Sequence, residues 1–149
     1  MNIGYLNTDI GWLEIAASDE GIQRIKFVEQ CQFPEQHNAH VEQAIAQLDE
    51  YFNHQRREFD LTLAAAGTLF QQQVWKTLTS VPHGKTCSYA DIADSIGNPK
   101  AVRAVGSANG KNPIAIVVPC HRIIGSNGKL TGYAGGLFRK EYLLKLEQL

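Results

Sequence analysis

With 149 residues, 14 Lys and Arg against 15 Asp and Glu, and 44% hydrophobic residues, the chain has a globular composition, which excludes a disordered one. No apolar run approaches the roughly 18 residues of a membrane span, and the start, MNIGYLNTDIGWLEI, lacks the blocks of a signal peptide. A cytoplasmic protein with no membrane partner is expected; three cysteines, odd in number and widely spaced, fit that location, and no CxxC pair points to a structural zinc site.

The near-zero net charge hides a division. Through Ala66, four basic residues face eleven acidic ones, a net −7; from Gly67 onward, ten basic residues face four acidic ones, a net +6. A basic C-terminal half fits a polyanion-facing surface, although two ordinary solvated faces would give the same totals. The polar and small-residue stretch 54–68 is the expected boundary, giving an N-terminal α/β domain over 1–66 and a second domain over 67–149.

In chain order, residues 3–8, 11–17 and 22–28 read as short strands separated by turns at Asp9–Gly11 and Ser18–Gly21. A loop over Cys31–His40 follows. Val41, Ile45, Leu48 and Tyr51/Phe52 then repeat at helical spacing over 41–53. The second half reads as mostly helical. Phe70, Val74, Trp75 and Leu78 form one face of a helix over 70–80, and Ser88 with Asp91 spells a capping box opening the next. Asn98 is expected to cap a further helix with Pro99 at its first position. The run IAIVV at 114–118 reads as a buried strand or extended segment, Gly125–Gly136 as a glycine-rich loop, and 137–149 as a closing helix.

The helices on either side of Gly97-Asn98-Pro99 form a helix-turn-helix candidate over 88–110. At about 100° per residue, Ala101, Val105 and Ala108 share the core side of the second helix, leaving Arg103, Gly106, Ser107 and Gly110 on the other. Glycine and serine cost helix stability, so a flat face with one projecting arginine needs a compensating gain. Close approach to a nucleic-acid groove is one such gain, with Lys100 and Lys111 at the ends for phosphates; tight helix–helix packing is another.

Within NPIAIVVPCHRIIG, Cys120 is followed directly by His121 and Arg122. A thiolate is the nucleophilic form of cysteine, and a neighbouring cation or imidazole favours it. Adjacent strand residues point to opposite faces, so His121 reaches Cys120 only where the chain turns or through a water. A buried, inert cysteine fits the same spacing. Cys31 and Cys87 lack such neighbours and read as structural; Cys31 with His37 and His40 offers three metal-type donors but no fourth. In the last helix, Glu141 sits near the edge of the apolar face, as an inward carboxylate or an ordinary surface one.

Together, GTLFQQQVWKTL, SYADIA, GNPKAVRAVGSANGKNP, VVPCHRIIGSNGKLTGYAGG and KEYLLKLE resemble the O6-alkylguanine-DNA alkyltransferase (methylated-DNA–protein-cysteine methyltransferase) family. The resemblance covers the C-terminal half and implies an α+β fold: a ribonuclease-H-like N-terminal domain with a three-stranded antiparallel sheet, and a mostly α, winged-helix-like helix-turn-helix domain. It implies a monomer that repairs double-stranded DNA containing O6-alkylguanine, with no metal or cofactor, by one irreversible transfer of the alkyl group.

Carried over by position, Cys120 is the alkyl acceptor, His121 its water-mediated base, Glu141 the holder of His121, and Asn112 the support of the Cys120 turn. Arg103 is the finger replacing an extruded nucleotide, and Tyr89 drives that rotation and bonds the flipped base. Tyr133 and Ala134 line the pocket, and the carbonyls of Cys120 and Ile123 read the exocyclic amine. Two departures stand out: Ala115 replaces a second proline of some members, and Ala134 a serine, both bearing on bulky adducts. The zinc-binding residues of some members have no counterpart. The alternative is an alkyltransferase-like protein that binds alkylated DNA without reacting, a class in which the cysteine is replaced, usually by tryptophan, so Cys120 argues against it. A sequence-reading regulator ranks lower on the bare helix face, and a cysteine hydrolase lacks a visible oxyanion site.

Overall fold

The first three strands form as read: β1 (Asn2–Thr8), β2 (Gly11–Ser18) and β3 (Gly21–Val28) make an antiparallel sheet in that order. The computed structural model describes all of residues 1–149, which divide into two compact units, Met1–Ala66 together with Leu149, and Gly67–Gln148. No helix is long and apolar enough to cross a membrane.

In the first unit, Gly4, Ile15 and Ile25 stand side by side across the sheet. The helix α1 (Ala39–Phe52) covers this face, burying Val41, Ala44, Leu48 and Tyr51. A Cβ on Gly4 would lie 2.6 Å from Val41, so glycine is what lets the helix approach so closely. Asn38 caps α1, its side chain accepting from the Val41 amide at 3.0 Å. On the other face Glu14 is buried and accepts from Arg24 at 2.7 Å and from the Tyr5 hydroxyl at 3.0 Å. The connector returns along β3, with Ile22 donating to the Thr62 carbonyl and receiving from the Ala64 amide.

The second unit opens with α2 (Leu69–Leu78), capped by reciprocal Thr68–Gln71 hydrogen bonds. Val74, Trp75 and Leu78 are buried, and the Trp75 indole donates to the Ala108 carbonyl at 2.9 Å. The short strand β4 (Cys87–Ser88) leads into α3 (Tyr89–Ser95), where the Ser88–Asp91 capping box forms as the sequence predicts. The next helix, α4 (Val102–Gly110), starts later than expected. Asn98 does not cap it: the Asn98 amide bonds the Ala93 carbonyl and the Gly97 amide bonds Asp94, with Gly97 at φ +77°. This is a Schellman ending of α3, so Asn98 belongs to the helix before the turn and Ala101 opens the one after.

The IAIVV run departs further from expectation. Ile114, Ile116 and Val118 are buried while Ala115 and Val117 are partly exposed, an alternation that mimics a strand. The backbone instead folds tightly, with Val117 N–H donating to Ala115 at 2.8 Å and Val118 N–H to Ile114 at 3.1 Å. Ile116 sits at φ +71°, a strained position for a β-branched residue. A one-turn 3-10 segment, Cys120–Arg122, follows, then β5 (Ile123–Ile124), which pairs in parallel with β4. The helix α5 (Leu137–Leu146) closes the unit, burying Lys140, Leu143 and Leu146.

Candidate active site

Cys120 is held by the turn that precedes it. The Asn112 side chain spans that turn, donating to Ile114 O at 3.3 Å and Val118 O at 2.8 Å and accepting from the Ile114 amide at 3.0 Å. Pro119, at φ −82° and ψ 63°, then reverses direction, and the Cys120 amide bonds the Val118 carbonyl at 2.8 Å. That pairing is an inverse γ-turn. Cys120 thus opens a helical turn, which removes the strand geometry that would have held His121 on the opposite face. Only 6% of Cys120 is exposed. Burial pushes its thiol upward, while a hydrogen bond from Asn112 and the charge of Lys140 pull it down.

His121 is fully buried, with Nε2 2.7 Å from Glu147 Oε2. The same carboxylate accepts from Arg122 through Nε at 2.8 Å and Nη2 at 3.0 Å, and Arg122 Nη1 donates to the Val81 carbonyl at 2.7 Å. Glu147 is acceptor-only beside two donors, so the neutral imidazole places its proton on Nε2 and its lone pair on Nδ1. Nδ1 is buried and meets no partner in the protein. Burial holds the imidazole below its ordinary range, against the opposing pull of Glu147. Arg122 is committed to Glu147 and Val81, so it serves the array from behind.

The carboxylate beside His121 is therefore Glu147 and not Glu141. Glu141 is exposed and pairs with Lys145 at 2.9 Å along the helix surface. The reason is rotation about α5. Lys140, Leu143 and Glu147 are spaced by three and four residues and share the buried stripe, whereas Glu141 stands one residue off it. That spacing, anchored on Leu143, was the signal that distinguishes the two glutamates.

Two further groups were not singled out from sequence. Lys140 is buried, and its ammonium donates to the Ile123 carbonyl at 2.5 Å and to Thr131 Oγ1 at 3.3 Å. Burial lowers its affinity for a proton. Thr131 in turn lies 2.6 Å from the Tyr89 hydroxyl. The Tyr133 hydroxyl is buried without a hydrogen-bond partner, and burial holds that phenol well above its ordinary range. Ile123 is buried and Ala134 is exposed at the end of the loop.

On α4, Val105 and Ala108 are buried, and Arg103, Ser107 and Gly110 are exposed, as are Lys100 and Lys111. The small residues do not serve internal packing. A Cβ on Gly106 would only touch the Tyr89 ring at 3.7 Å, and one on Gly110 would meet nothing within 4 Å. Of the other cysteines, Cys87 is half-buried in β4, and burial pushes its thiol up to about 11. Cys31 is exposed, so the expectation that it serves packing is corrected. No group of three or more His, Cys, Asp or Glu is arranged to hold a metal. His37 instead faces Glu35, and His40 the Asp19 carbonyl.

Residues 69–149 match the profile of the 6-O-methylguanine DNA methyltransferase DNA-binding domain, and residues 1–65 that of the ribonuclease-like domain of the same proteins. The chain belongs to this methyltransferase family. The methylated-DNA–protein-cysteine methyltransferase of Methanosarcina acetivorans is 48% identical over 153 residues, 99% of this chain and 98% of its own. The Mycobacterium bovis protein of the same name is 47% identical, over 96% of this chain and 90% of its own. The crystal structure of Mycobacterium tuberculosis O6-methylguanine methyltransferase superposes with a TM-score of 0.89 at 46% identity, covering 99% of this chain and 92% of that one. The same organism's protein in complex with DNA gives a TM-score of 0.91, covering 99% and 93%. The methyltransferase fold, a ribonuclease-like α+β domain followed by a DNA-binding domain, is the architecture described above.

Proposed function

We propose that this chain repairs duplex DNA by taking the alkyl group from O6 of a damaged guanine onto Cys120, once and irreversibly. The observation that carries the reading is a nine-tenths-buried cysteine placed after a turn strained at Ile116 and followed by a buried histidine whose Nε2 is engaged by Glu147. Membership of the methyltransferase family, and the DNA complex of a 46% identical relative, support the same substrate.

The side chains suit a direct displacement. His121, neutral and with Nδ1 free, takes the Cys120 proton through a bridging water, and Glu147 with Arg122 stabilises the imidazolium that results. The thiolate then forms the S–C bond as the C–O6 bond breaks, and the electron pair moves into the guanine ring. Tyr89 donates to that ring as charge develops. The product thioether has no group beside it that would remove the alkyl carbon, so one molecule repairs one lesion.

Reaching O6 requires the nucleotide to leave the stack, at a cost of a few kcal/mol that is smaller for a damaged pair. The exposed Arg103 on the flat face of α4 fills the space left behind, while Lys100 and Lys111 meet phosphates. Gly106 and Ser107 let the helix lie close to the groove. Tyr133, Ala134 and the main-chain oxygens of Cys120 and Ile123 shape the base pocket. The protein acts as a single chain. Mass spectrometry of peptides after mixing with a duplex containing O6-methylguanine tests the reading: one added methyl on the Cys120 peptide is expected. Tight duplex binding with Cys120 unmodified would support the non-reacting alternative.

A further inference from the structure

A buried ammonium without a carboxylate partner is costly. Lys140 is such a group: it is fully buried, and its hydrogen bonds go to two neutral oxygens, Ile123 O and Thr131 Oγ1. Its placement calls for a role beyond packing. Lysine only donates, so Thr131 Oγ1 must accept from it. The threonine hydroxyl has one proton of its own, and the oxygen 2.6 Å away is the Tyr89 hydroxyl. When Thr131 donates that proton to Tyr89, the phenol proton is free to point outward.

We propose that Thr131 is a positioning residue that joins Lys140 to Tyr89 in a one-directional hydrogen-bond chain, aiming the Tyr89 proton at the departing base. The chain runs from Lys140 N–H to Thr131 O, from Thr131 O–H to Tyr89 O, and from Tyr89 O–H to the guanine. The inference rests on Tyr89 acting at the base, as proposed above. Electrostatically, each donor polarises the next, and the ammonium at the inner end stabilises charge building on the phenol oxygen as its proton is drawn away. No proton need leave Lys140, and no bond beyond those of the displacement is made or broken.

The test uses Thr131→Val, which keeps the shape and removes the hydroxyl, and Thr131→Ser, which restores it. Single-turnover methyl transfer from an O6-methylguanine duplex is measured for both, alone and with Tyr89→Phe. Thr131→Val should slow transfer about tenfold, the loss typical of one hydrogen bond to a group acquiring charge. Thr131→Ser should return the rate to within about twofold, and duplex affinity, measured in a Cys120→Ser background, should not change in either. With Tyr89→Phe already present, Thr131→Val should add less than about twofold, because residues acting as a unit are not additive. A wild-type rate for Thr131→Val, or an undiminished loss in the Tyr89→Phe background, overturns the chain while leaving Tyr89 at the base. A wild-type rate for Tyr89→Phe alone overturns both and leaves Cys120 methylation intact.

Discussion

Glu147→Gln is the most informative single change. The carboxylate is buried and accepts three hydrogen bonds, at 2.7 Å from His121 and 2.8 and 3.0 Å from Arg122. The amide keeps the volume but loses the charge and supplies only one acceptor oxygen. If that oxygen stays with Arg122, the amide N–H faces His121 Nε2 and forces it to accept, moving the imidazole proton to Nδ1. The lone pair that should receive the Cys120 proton is then lost. The corresponding change in a serine-protease triad, the worked case for this effect, lowers turnover about 10⁴-fold. A loss of 10²-fold or more is expected here, the lower bound for removing a general base. Stability should fall by about 3–5 kcal/mol, because Arg122 is left buried without its counter-charge. That is a large share of the roughly 5–15 kcal/mol holding a domain of this size together. Single-turnover transfer and urea unfolding, run side by side with Glu141→Gln, supply the measurement. The exposed Glu141–Lys145 pair is worth no more than about 0.5 kcal/mol, and its loss should leave transfer unchanged. Methyl transfer by Glu147→Gln within about twofold of the unaltered protein, or a larger loss from Glu141→Gln, would rule out Glu147 as the group that sets the His121 tautomer.

Asn112→Ala removes all three side-chain bonds that close the 112–118 turn and should cost about 1–3 kcal/mol, with loss of transfer at temperatures where the fold persists; circular dichroism and the peptide assay together check this. Gly106→Ala should stabilise the chain by up to about 1 kcal/mol while weakening duplex binding, since the added methyl meets only the Tyr89 ring inside the protein; thermal melting and a salt-controlled binding titration are opposed readouts. The folded-state pKa of His121 is held below its unfolded value by burial, so the unfolded chain binds more protons at mildly acidic pH. Stability should therefore be full above the ordinary histidine range and decline as pH falls below it, and His121→Gln should flatten that part of the curve in denaturant melts. Burial raises the Cys120 thiol, so its alkylation by iodoacetamide, followed on the Cys120 peptide apart from exposed Cys31, should still be accelerating above the ordinary thiol range.

Much of the frame is legible in the sequence. The three strands and α1 follow from period and turn residues, and the Ser88–Asp91 box opens α3 where its spelling says. What escaped detection has common physical roots. IAIVV alternates in burial like a strand, but the Asn112 side chain captures the amide and carbonyls that a sheet would have used. Asn98 looks like a helix start because cap chemistry is local, yet Gly97 in the left-handed region commits its amide to the helix behind it. Glu141 lies in the middle of α5 and Glu147 caps its end six residues later, and only the stripe through Lys140 and Leu143 separates them. Lys140 and Thr131 gave no signal because a lysine and a threonine in a polar segment are unremarkable until burial is known.

The left-handed backbone at Ile116 has a consequence for how this protein would fail. Such a conformation costs about 1–3 kcal/mol and survives only where its surroundings over-determine it. Here the restraint comes from burial of Ile114, Ile116 and Val118 on one side and from Asn112 on the other. A substitution that loosens the packing around those side chains would let the turn relax toward an ordinary conformation at little energetic cost. The nucleophile would then drift from its histidine in a molecule that still folds. Repair capacity in this chain should therefore be lost before folding is lost as the packing around Ile116 is weakened.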